Sequence, residues 1–489
     1  MTPRPGRLHP LVVLVALALI PTILLWAVWQ WADTRAAIAE EGVPPTVTSV
    51  PPPAGFPALA TPLLSYRRTA GRLSRDLNLE AFESAVEPLL AAVDDRSCTA
   101  VSLDGRVVGE RNADLAVIPA SNQKILVAAV AIEVLGPDFT YETKVVAPAP
   151  EAGVIDGDVY LVGGGDPLLS GDWYPESGLD RFPAFNITSL DALADDVAAA
   201  GVTQINGAVR GDGSRYDDEF YAPGWGAVVA GLEAGPYDAL LVNDARVRND
   251  DQRATDPNEG GAREFVRLLG ERGITVSGGS GVGVAPVDLP GLAAVRSQPL
   301  PAVVEEMLTN SDNNTAELVV KEIGLAATGA GSRIAGLEVM ADTITGWGVD
   351  AAGLVLADGS GLSLDNRLTC RALLGVLQHA GSSGPVADGL AVAGETGTLV
   401  DVFGDTAVAG RLRAKTGTLN NFPIDQDPPA VKALAGFLPV EGGGAIEFAL
   451  LLNGPTISDQ SEYRPIWNEL VAALSSFPAV ASPAALGPR

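Results

Sequence analysis

Three short motifs carry side chains suited to acyl transfer: Ser121-Asn-Gln-Lys124, Ser311-Asp-Asn313 and Lys415-Thr-Gly-Thr418. Residues i and i+3 share one face of a helix, so the Lys124 amine can approach the Ser121 hydroxyl if Ser121 begins a helix. Burial and a second nearby cation, Lys415, would both lower the pKa of Lys124, and a neutral amine could then accept the serine proton. The spacing predicts Ser121 as the nucleophile and Lys124 as its base, with Lys415 as another catalytic residue.

The other two motifs suit the recognition of a peptide. Ser311 and Asn313 follow a helical segment and could relay a proton and hold a substrate amide, so both are candidate catalytic residues. A strand edge at residues 415–418 could pair with an extended peptide while two threonine hydroxyls bind its terminal carboxylate. The backbone N–H groups of Ser121 and Thr418 are the candidates for an oxyanion hole. The predicted substrate-binding residues are Thr416, Gly417 and Thr418.

The composition argues against several other kinds of site. His9 lies in the N-terminal segment and leaves His379 as the only imidazole of the globular part, so a Ser-His-Asp triad is not expected. The two cysteines form no His/Cys cluster of the kind that binds zinc, and we expect neither a metal nor a cofactor. A formal net charge of −28 at pH 7 argues against nucleic acid as a partner.

The N-terminal segment predicts attachment to a membrane. Arg4 and Arg7 precede a predominantly apolar run, residues 11–31, that is long enough to span a bilayer and has tryptophans at its outer end. We therefore expect residues 1–40 to form a membrane anchor, with the body of the protein outside the cytoplasm. A cleaved signal peptide is the alternative, although its apolar core is normally shorter.

Two further regions are predicted to lie outside the folded core. Residues 41–65 are rich in proline and predict an extended linker, and residues 476–489 predict a flexible tail. Outside the cytoplasm, Cys98 and Cys370 could form a disulfide, but they could equally be two buried thiols.

The segments around the motifs predict a domain of helices and strands. A hairpin with an Asp104-Gly105 turn opens it, and a buried helix runs from Ser121 to Leu135. Helical patterns return after residue 300, and apolar runs at 431–438 and 446–452 predict adjacent strands. These elements assign residues 66–146 and 291–475 to one catalytic domain.

Residues 147–290 have a different sequence pattern from the segments on either side, and we interpret them as an inserted accessory domain. Short β-like runs alternate there with turns rich in glycine and aspartate, such as Gly163-Gly-Gly-Asp-Pro167. A chain of 489 residues is also longer than one hydrophobic core usually supports. We therefore expect a large, mostly β insertion between the first two motifs.

In this order, the three motifs resemble the signature of class A β-lactamases and penicillin-binding proteins. The chain as a whole resembles the D-alanyl-D-alanine carboxypeptidase/endopeptidase family, the low-molecular-mass class C penicillin-binding proteins, from about Ser74 to Ala473. Asp358-Gly-Ser-Gly-Leu-Ser363 with Asn366, Gly394-Glu-Thr-Gly-Thr-Leu399 and the glycine-rich turn at 163–167 are also similar to stretches of that family. We assign these glycine-rich stretches to turn formation before catalysis.

The resemblance implies an α/β (α+β) fold of the serine β-lactamase/penicillin-binding transpeptidase type, with an antiparallel sheet flanked by helices and a large inserted domain. It implies a serine D-alanyl-D-alanine carboxypeptidase that acts on peptidoglycan peptides through an acyl-enzyme on Ser121. It leaves open whether the enzyme is also an endopeptidase. It further implies inhibition by β-lactams and a place on the extracytoplasmic face of a bacterial membrane or in the cell wall. Protein partners and oligomeric state are not indicated.

Two other functions remain alternatives. A class A-like β-lactamase would need a glutamate that positions a deacylating water; no such motif is visible, although single glutamates such as Glu317 are available. A non-catalytic cell-wall-binding protein could use the same fold, but the intact Ser121, Lys124 and Lys415 argue against it. One segment departs from the family pattern, because residues 419–429 form a longer and more acidic connection than expected.

Overall fold

The computed structural model describes residues 23–31, 66–226, 229–420, 429–441, 443–478 and 482–486. The chain divides into two units, residues 1–63 and 64–489. In the first unit, residues 23–31 form an exposed helix. None of the helices in the described ranges is both long enough and apolar enough to cross a bilayer. Residues 1–22 and 32–40 of the predicted anchor and the whole linker, 41–65, lie outside the described residues.

The second unit contains sixteen strands and eleven helices that the structure describes. The strands are β1 (Cys98–Leu103), β2 (Arg106–Arg111), β3 (Glu142–Val146), β4 (Val154–Ile155), β5 (Val159–Val162), β6 (Leu169–Ser170), β7 (Thr188–Ser189), β8 (Gln204–Ile205), β9 (Val209–Asp212), β10 (Thr275–Val276), β11 (Ser280–Val282), β12 (Gly291–Arg296), β13 (Ala391–Val392), β14 (Arg413–Leu419), β15 (Ala430–Pro439) and β16 (Ala445–Gly454). The helices are α1 (Tyr66–Ala92), α2 (Gln123–Val134), α3 (Leu190–Ala199), α4 (Pro257–Glu271), α5 (Leu300–Thr309), α6 (Asn313–Thr328), α7 (Arg333–Gly346), α8 (Cys370–Ala380), α9 (Pro385–Asp388), α10 (Gln460–Ser475) and α11 (Pro483–Leu486).

A six-stranded antiparallel sheet in the order β13-β14-β15-β16-β1-β2 forms the centre of the catalytic part. The turn between β1 and β2 uses Asp104 and Gly105 at positive φ angles of 50° and 79°, which matches the predicted hairpin. Strand β16 is buried along its whole length, because helices cover both faces of the sheet. An antiparallel sheet flanked by helices is the predicted fold class.

Two cores lie on opposite faces of this sheet. Helix α2 and helices α5 to α8 pack on one face, with Leu126 and Val319 among the fully buried side chains. Helices α1 and α10 pack on the other face, where Phe82 and Leu470 are buried. Helix α2 is buried from Gln123 to Ala131, as its apolar sequence predicts, and therefore forms the rigid support of the first motif.

The segment between the first two motifs has a separate core. A five-stranded sheet, β11-β9-β5-β3-β12, and a three-stranded sheet, β10-β8-β4, pack with helices α3 and α4 around side chains such as Leu161 and Phe265. Strands β3 and β12 pair antiparallel, so the chain enters and leaves this part side by side. Both strands lie just outside the predicted segment 147–290 and yet belong to its larger sheet. The boundaries of the accessory domain at residues 147 and 290 remain a prediction.

A disulfide joins Cys98 at the start of β1 to Cys370 at the start of α8. Both residues are fully buried, and 272 residues separate them in the sequence. Cys98 and Cys370 therefore form a disulfide in this structure and are not two buried thiols.

We expect a Cys98→Ala/Cys370→Ala variant to lose about 2 to 5 kcal/mol of unfolding free energy, because the bond closes a long loop in the unfolded chain. Denaturant unfolding of the variant and of the oxidised wild type measures the difference. The wild type unfolded in the presence of a reductant is the matched control and should resemble the variant. Equal stability of all three samples would contradict the expectation.

Candidate active site

Ser121 lies in a 3₁₀ turn, Ala120–Asn122, that leads directly into α2. Ala120 has a positive φ of 48°, which is unusual for a residue with a side chain. Gly361 packs against this turn at a φ of 84°, and a Cβ atom there would collide with the Ala120 carbonyl oxygen. Ser121 is partly exposed whereas Lys124 is fully buried. The nucleophile candidate is therefore accessible above a buried amine.

Lys124 connects the first two motifs. Its Nζ donates to Ser121 Oγ at 3.1 Å, to Asn313 Oδ1 at 2.7 Å and to the Ser360 carbonyl oxygen at 2.6 Å. An ammonium has three donors, so these three acceptors satisfy it completely. The amine is held within hydrogen-bonding distance of the Ser121 hydroxyl, which is the geometry required of a general base.

The second motif forms the start of α6. Asp312 caps this helix by accepting a hydrogen bond from Thr315 N at 2.6 Å, while Ser311 precedes it with a φ of 66°. Asn313 also donates from Nδ2 to the carbonyl oxygen of Glu233 at 2.9 Å. Ser311, Asp312 and Asn313 line a cleft of about 230 Å³ together with residues of the accessory part. The second motif therefore lies between the first motif and the accessory part.

The third motif lies on β14, next to the Ser121 turn. A Cβ atom at Gly417 would lie 2.9 Å from Asn122 Nδ2 and 3.0 Å from the Pro119 carbonyl oxygen, so glycine allows this close approach. Lys415 is fully buried and donates from Nζ to the Thr416 carbonyl oxygen at 2.9 Å. Thr416 is partly exposed, and Thr418 is exposed.

The outer edge of β14 is open beyond its first two residues. Strand β13 pairs only with Arg413 and Ala414, and no other described strand pairs with that edge from Lys415 onward. Unpaired N–H and C=O groups at such an edge can bind an extended peptide as an additional strand. The sequence predicts peptide binding at this edge. Residues 421–428 of the long acidic connection lie outside the described part of the chain.

The electrostatics of the site follow from burial. Burial lowers the pKa of Lys124 to about 8, and the carboxylates of Asp358, Asp312 and Glu317 partly oppose this effect. Burial, followed by the charge of Lys124, lowers the pKa of Lys415 well below its usual value. Lys124 is therefore a neutral amine in about one tenth of molecules at pH 7 and in about half of them at pH 8.

The loop 358–363, which the sequence predicts as a turn-forming stretch, also contacts the catalytic residues. The Asp358 carboxylate accepts hydrogen bonds from Gly361 N at 2.9 Å and Ser363 N at 2.5 Å. Glu317, fully buried on α6, accepts from Gly359 N at 3.1 Å and Ser360 N at 2.7 Å. These two carboxylates fix the loop so that its Ser360 carbonyl points at Lys124 Nζ. In the sequence, the glycine-rich motif at 358–363 is the signal that could have indicated these contacts.

One more residue contacts the third motif without having been predicted. Lys432 on β15 donates from Nζ to Thr418 Oγ1 at 2.9 Å. The sequence offered a weak signal for this contact, because Lys432 is one of only five lysines in the chain.

Comparisons with known proteins show which family the chain belongs to. Residues 94–248 and 240–476 match the D-Ala-D-Ala carboxypeptidase 3 (S13) family. The chain is 32% identical over 365 residues to a carboxypeptidase of Mycobacterium tuberculosis, covering 72% of this chain and 74% of that protein. It is 31% identical over 484 residues to a D-alanyl-D-alanine carboxypeptidase of an Actinomadura species, covering 81% of this chain and 83% of that protein.

A solved structure supports the fold. Penicillin binding protein 4 of Haemophilus influenzae superposes with a TM-score of 0.64 at 20% identity, covering 79% of this chain and 99% of that one. The same protein has been solved in complex with a β-lactam, and that structure gives a TM-score of 0.60. The predicted penicillin-binding fold is therefore confirmed. From the family match and the identity to these relatives, the chain belongs to the D-Ala-D-Ala carboxypeptidase 3 (S13) family of peptidases.

Proposed function

We propose that this protein is a serine D-alanyl-D-alanine carboxypeptidase that acts on peptidoglycan stem peptides through an acyl-enzyme on Ser121. The observation that carries the proposal is the position of Lys124 Nζ, 3.1 Å from Ser121 Oγ and bound at the same time to Asn313. Family membership, and relatives named as carboxypeptidases, support the choice of substrate.

The reaction follows from the roles that these groups can take. Neutral Lys124 accepts the proton of Ser121, and Oγ attacks the carbonyl carbon of the penultimate D-alanine. The backbone N–H groups of Ser121 and Thr418 stabilise the resulting oxyanion. The carbon–nitrogen bond then breaks, and the proton returns to the nitrogen of the leaving D-alanine. Water hydrolyses the ester and regenerates the Ser121 hydroxyl.

The remaining motif residues bind and orient the peptide. The substrate extends along the open edge of β14, and the Thr416 and Thr418 hydroxyls donate to its terminal carboxylate. Gly417 allows the strand to approach the Ser121 turn closely. Ser311 and Lys415 complete the path along which the proton reaches the leaving nitrogen.

We further propose that β-lactams acylate Ser121 and are released slowly. Both carboxylate oxygens of Glu317 lie within hydrogen-bonding distance of backbone N–H groups of the 358–363 loop. That arrangement supports an architectural role for Glu317 and does not favour the positioning of a deacylating water, which a β-lactamase would require. The β-lactam complex of the Haemophilus influenzae relative is consistent with this proposal.

We place the enzyme outside the cytoplasm, in the cell wall. The Cys98–Cys370 disulfide supports an oxidising compartment, and the apolar run at residues 11–31 supports an N-terminal membrane anchor, with secretion after signal cleavage as the alternative. We also propose that residues 66–146 and 291–475 form the catalytic domain around an accessory domain at 147–290.

Acylation should depend on pH through Lys124. Its pKa of about 8 means that the neutral amine dominates above pH 8 and falls about tenfold for each pH unit well below it. The rate of Ser121 acylation by a fluorescent penicillin should therefore rise with pH and level off above about pH 8. Stopped-flow or gel measurements from pH 5.5 to 9.5 check this profile. A rate that is constant, or that falls, between pH 6 and pH 8 would contradict the role of Lys124 as base.

The proposed reaction is tested by its product. The purified protein should release D-alanine from an N-acylated peptide ending in D-Ala-D-Ala, and the same peptide ending in L-Ala-L-Ala is the matched control. A cross-linked peptide dimer, offered in parallel, distinguishes endopeptidase from carboxypeptidase activity. Absence of D-alanine release together with absence of dimer cleavage would contradict the proposal.

A further inference from the structure

We propose that Lys432 makes the site selective for substrates with a free terminal carboxylate, by fixing the Thr418 hydroxyl as a donor and placing a positive charge behind it. The inference rests on the proposed function, because it adds a residue to the same carboxylate-binding edge. Lys432 acts through Thr418 and is therefore a positioning residue.

The register of the sheet places the two side chains together. Lys432 of β15 is the direct partner of Thr418 of β14, so both side chains project from the same face. Lys432 Nζ donates to Thr418 Oγ1 at 2.9 Å. An ammonium can only donate, so the Thr418 oxygen must accept in this contact. The hydroxyl proton of Thr418 remains free to be donated to another acceptor, such as a carboxylate at the strand edge.

Two aromatic rings hold the ammonium in this position. Lys432 Nζ lies 4.5 Å from the ring centre of Tyr463 and 5.4 Å from that of Trp467, both of them buried residues of α10. Cation–π attraction to two rings restrains a side chain that would otherwise sample many rotamers. Lys432 is also partly buried, and a partly desolvated charge attracts a nearby carboxylate more strongly than an exposed one.

Lys415, the lysine of the third motif, lies on the face of β14 opposite Thr418. Side chains alternate along a strand, so Lys415 and Thr418, three residues apart, project from opposite faces of β14. Gly417 shares a face of β14 with Lys415, and a Cβ atom there would lie 2.9 Å from Asn122 Nδ2, so this face carries the Ser121 turn. Lys432 therefore supplies a positive charge on the face where the Thr418 hydroxyl lies, with the charge of Arg464 on α10 as its neighbour.

A pair of thioesters tests this division of roles. The two N-acyl-D-alanyl thioesters release either mercaptoacetate, which carries a carboxylate, or mercaptoacetamide, which is neutral. For Lys432→Met, kcat/KM for the carboxylate substrate should fall about 10- to 100-fold, in line with the loss of a charge-assisted hydrogen bond, while the neutral substrate changes by less than about twofold. Lys432→Arg should recover most of the loss. Lys144→Met, which removes a half-exposed lysine of β3, is the matched control and should change neither rate.

The outcomes separate this inference from the proposed function. Equal losses on both thioesters would show a structural role only, and no loss on either would show no role, so each result overturns the inference while the acyl-enzyme proposal stands. Wild-type protein that hydrolyses both thioesters at the same rate would also overturn it, because there would be no selectivity to explain. Wild-type protein that hydrolyses neither would contradict the proposed function and the inference with it.

Discussion

Replacement of Ser121 by alanine is expected to reduce D-alanine release by about 10⁵-fold or more, because the variant has no atom that can form the ester. The fold should be unaffected. The Ser121 hydroxyl has its hydrogen bond with Lys124, a contact that connects two catalytic groups and supports no secondary structure. The thermal midpoint of the variant should therefore lie close to that of the wild type.

Ser84→Ala is the matched control for this change. The Ser84 hydroxyl bonds to the Glu80 carbonyl oxygen within α1, on the face of the sheet opposite α2. This control should retain full activity. Retention of more than about one hundredth of the wild-type rate by Ser121→Ala would mean that another residue is the nucleophile.

Replacement of Lys124 by methionine is expected to slow the acylation of Ser121 about 10³-fold, which is within the range that a general base contributes. Methionine has a similar length, so the cavity is filled, but Ser121 loses its proton acceptor. Asn313 Oδ1 and the Ser360 carbonyl oxygen lose a donor as well, and we expect about 1 to 3 kcal/mol of lost stability from these two groups. Labelling kinetics with a fluorescent penicillin measure the first effect, and denaturant unfolding measures the second.

Lys321→Met separates the loss of a base from the loss of a buried lysine. Lys321 is also fully buried on a helix, α6, and its Nζ donates to the carbonyl oxygens of Asp217 at 3.0 Å and Glu219 at 2.8 Å. This variant should lose comparable stability and keep its acylation rate within a fewfold of the wild type. Equal slowing in both lysine variants would indicate that buried ammonium groups hold the fold and that Lys124 is not the base.

The fold could be predicted in outline because local patterns and distant motifs agree. The Asp104-Gly105 turn, the apolar helix after Ser121 and the two late apolar strands each have a strong local signal, and the structure contains all of these elements. The boundaries of the accessory part were harder to predict. Strands β3 and β12 are adjacent in its sheet although more than 140 residues separate them, and no local pattern encodes such a pairing.

The candidate site could be predicted as far as residue types and order allow. The spacing of Ser121 and Lys124 fixes their contact through helix geometry, whereas the contact between Lys124 and Asn313 depends on tertiary packing that only the family resemblance could suggest. The sequence offered Glu317 only as a glutamate that could position a deacylating water, and its carboxylate in the structure accepts hydrogen bonds from backbone N–H groups of the 358–363 loop.

The effects of neighbouring groups on the pKa values of Lys124 and Lys415 were the hardest feature of the site to predict from the sequence. The sequence predicts that burial and Lys415 together lower the pKa of Lys124. Burial is the main cause in the structure, and the neighbouring charges that act on Lys124 there are carboxylates, which raise the value again. The effect between the two lysines is seen at Lys415, whose pKa is lowered by the charge of Lys124. Such effects depend on distances across the folded core, so composition and spacing do not determine them.

The central claim is that Ser121 is acylated, and peptide mapping by mass spectrometry tests it most directly. Wild-type protein is incubated with penicillin, digested, and compared with Ser121→Ala treated in the same way. We predict one stable adduct, with the mass of the intact antibiotic, on the wild-type peptide that contains Ser121, and no adduct on the variant. An adduct on another residue, or rapid consumption of penicillin by wild-type protein that carries no adduct, would contradict the account.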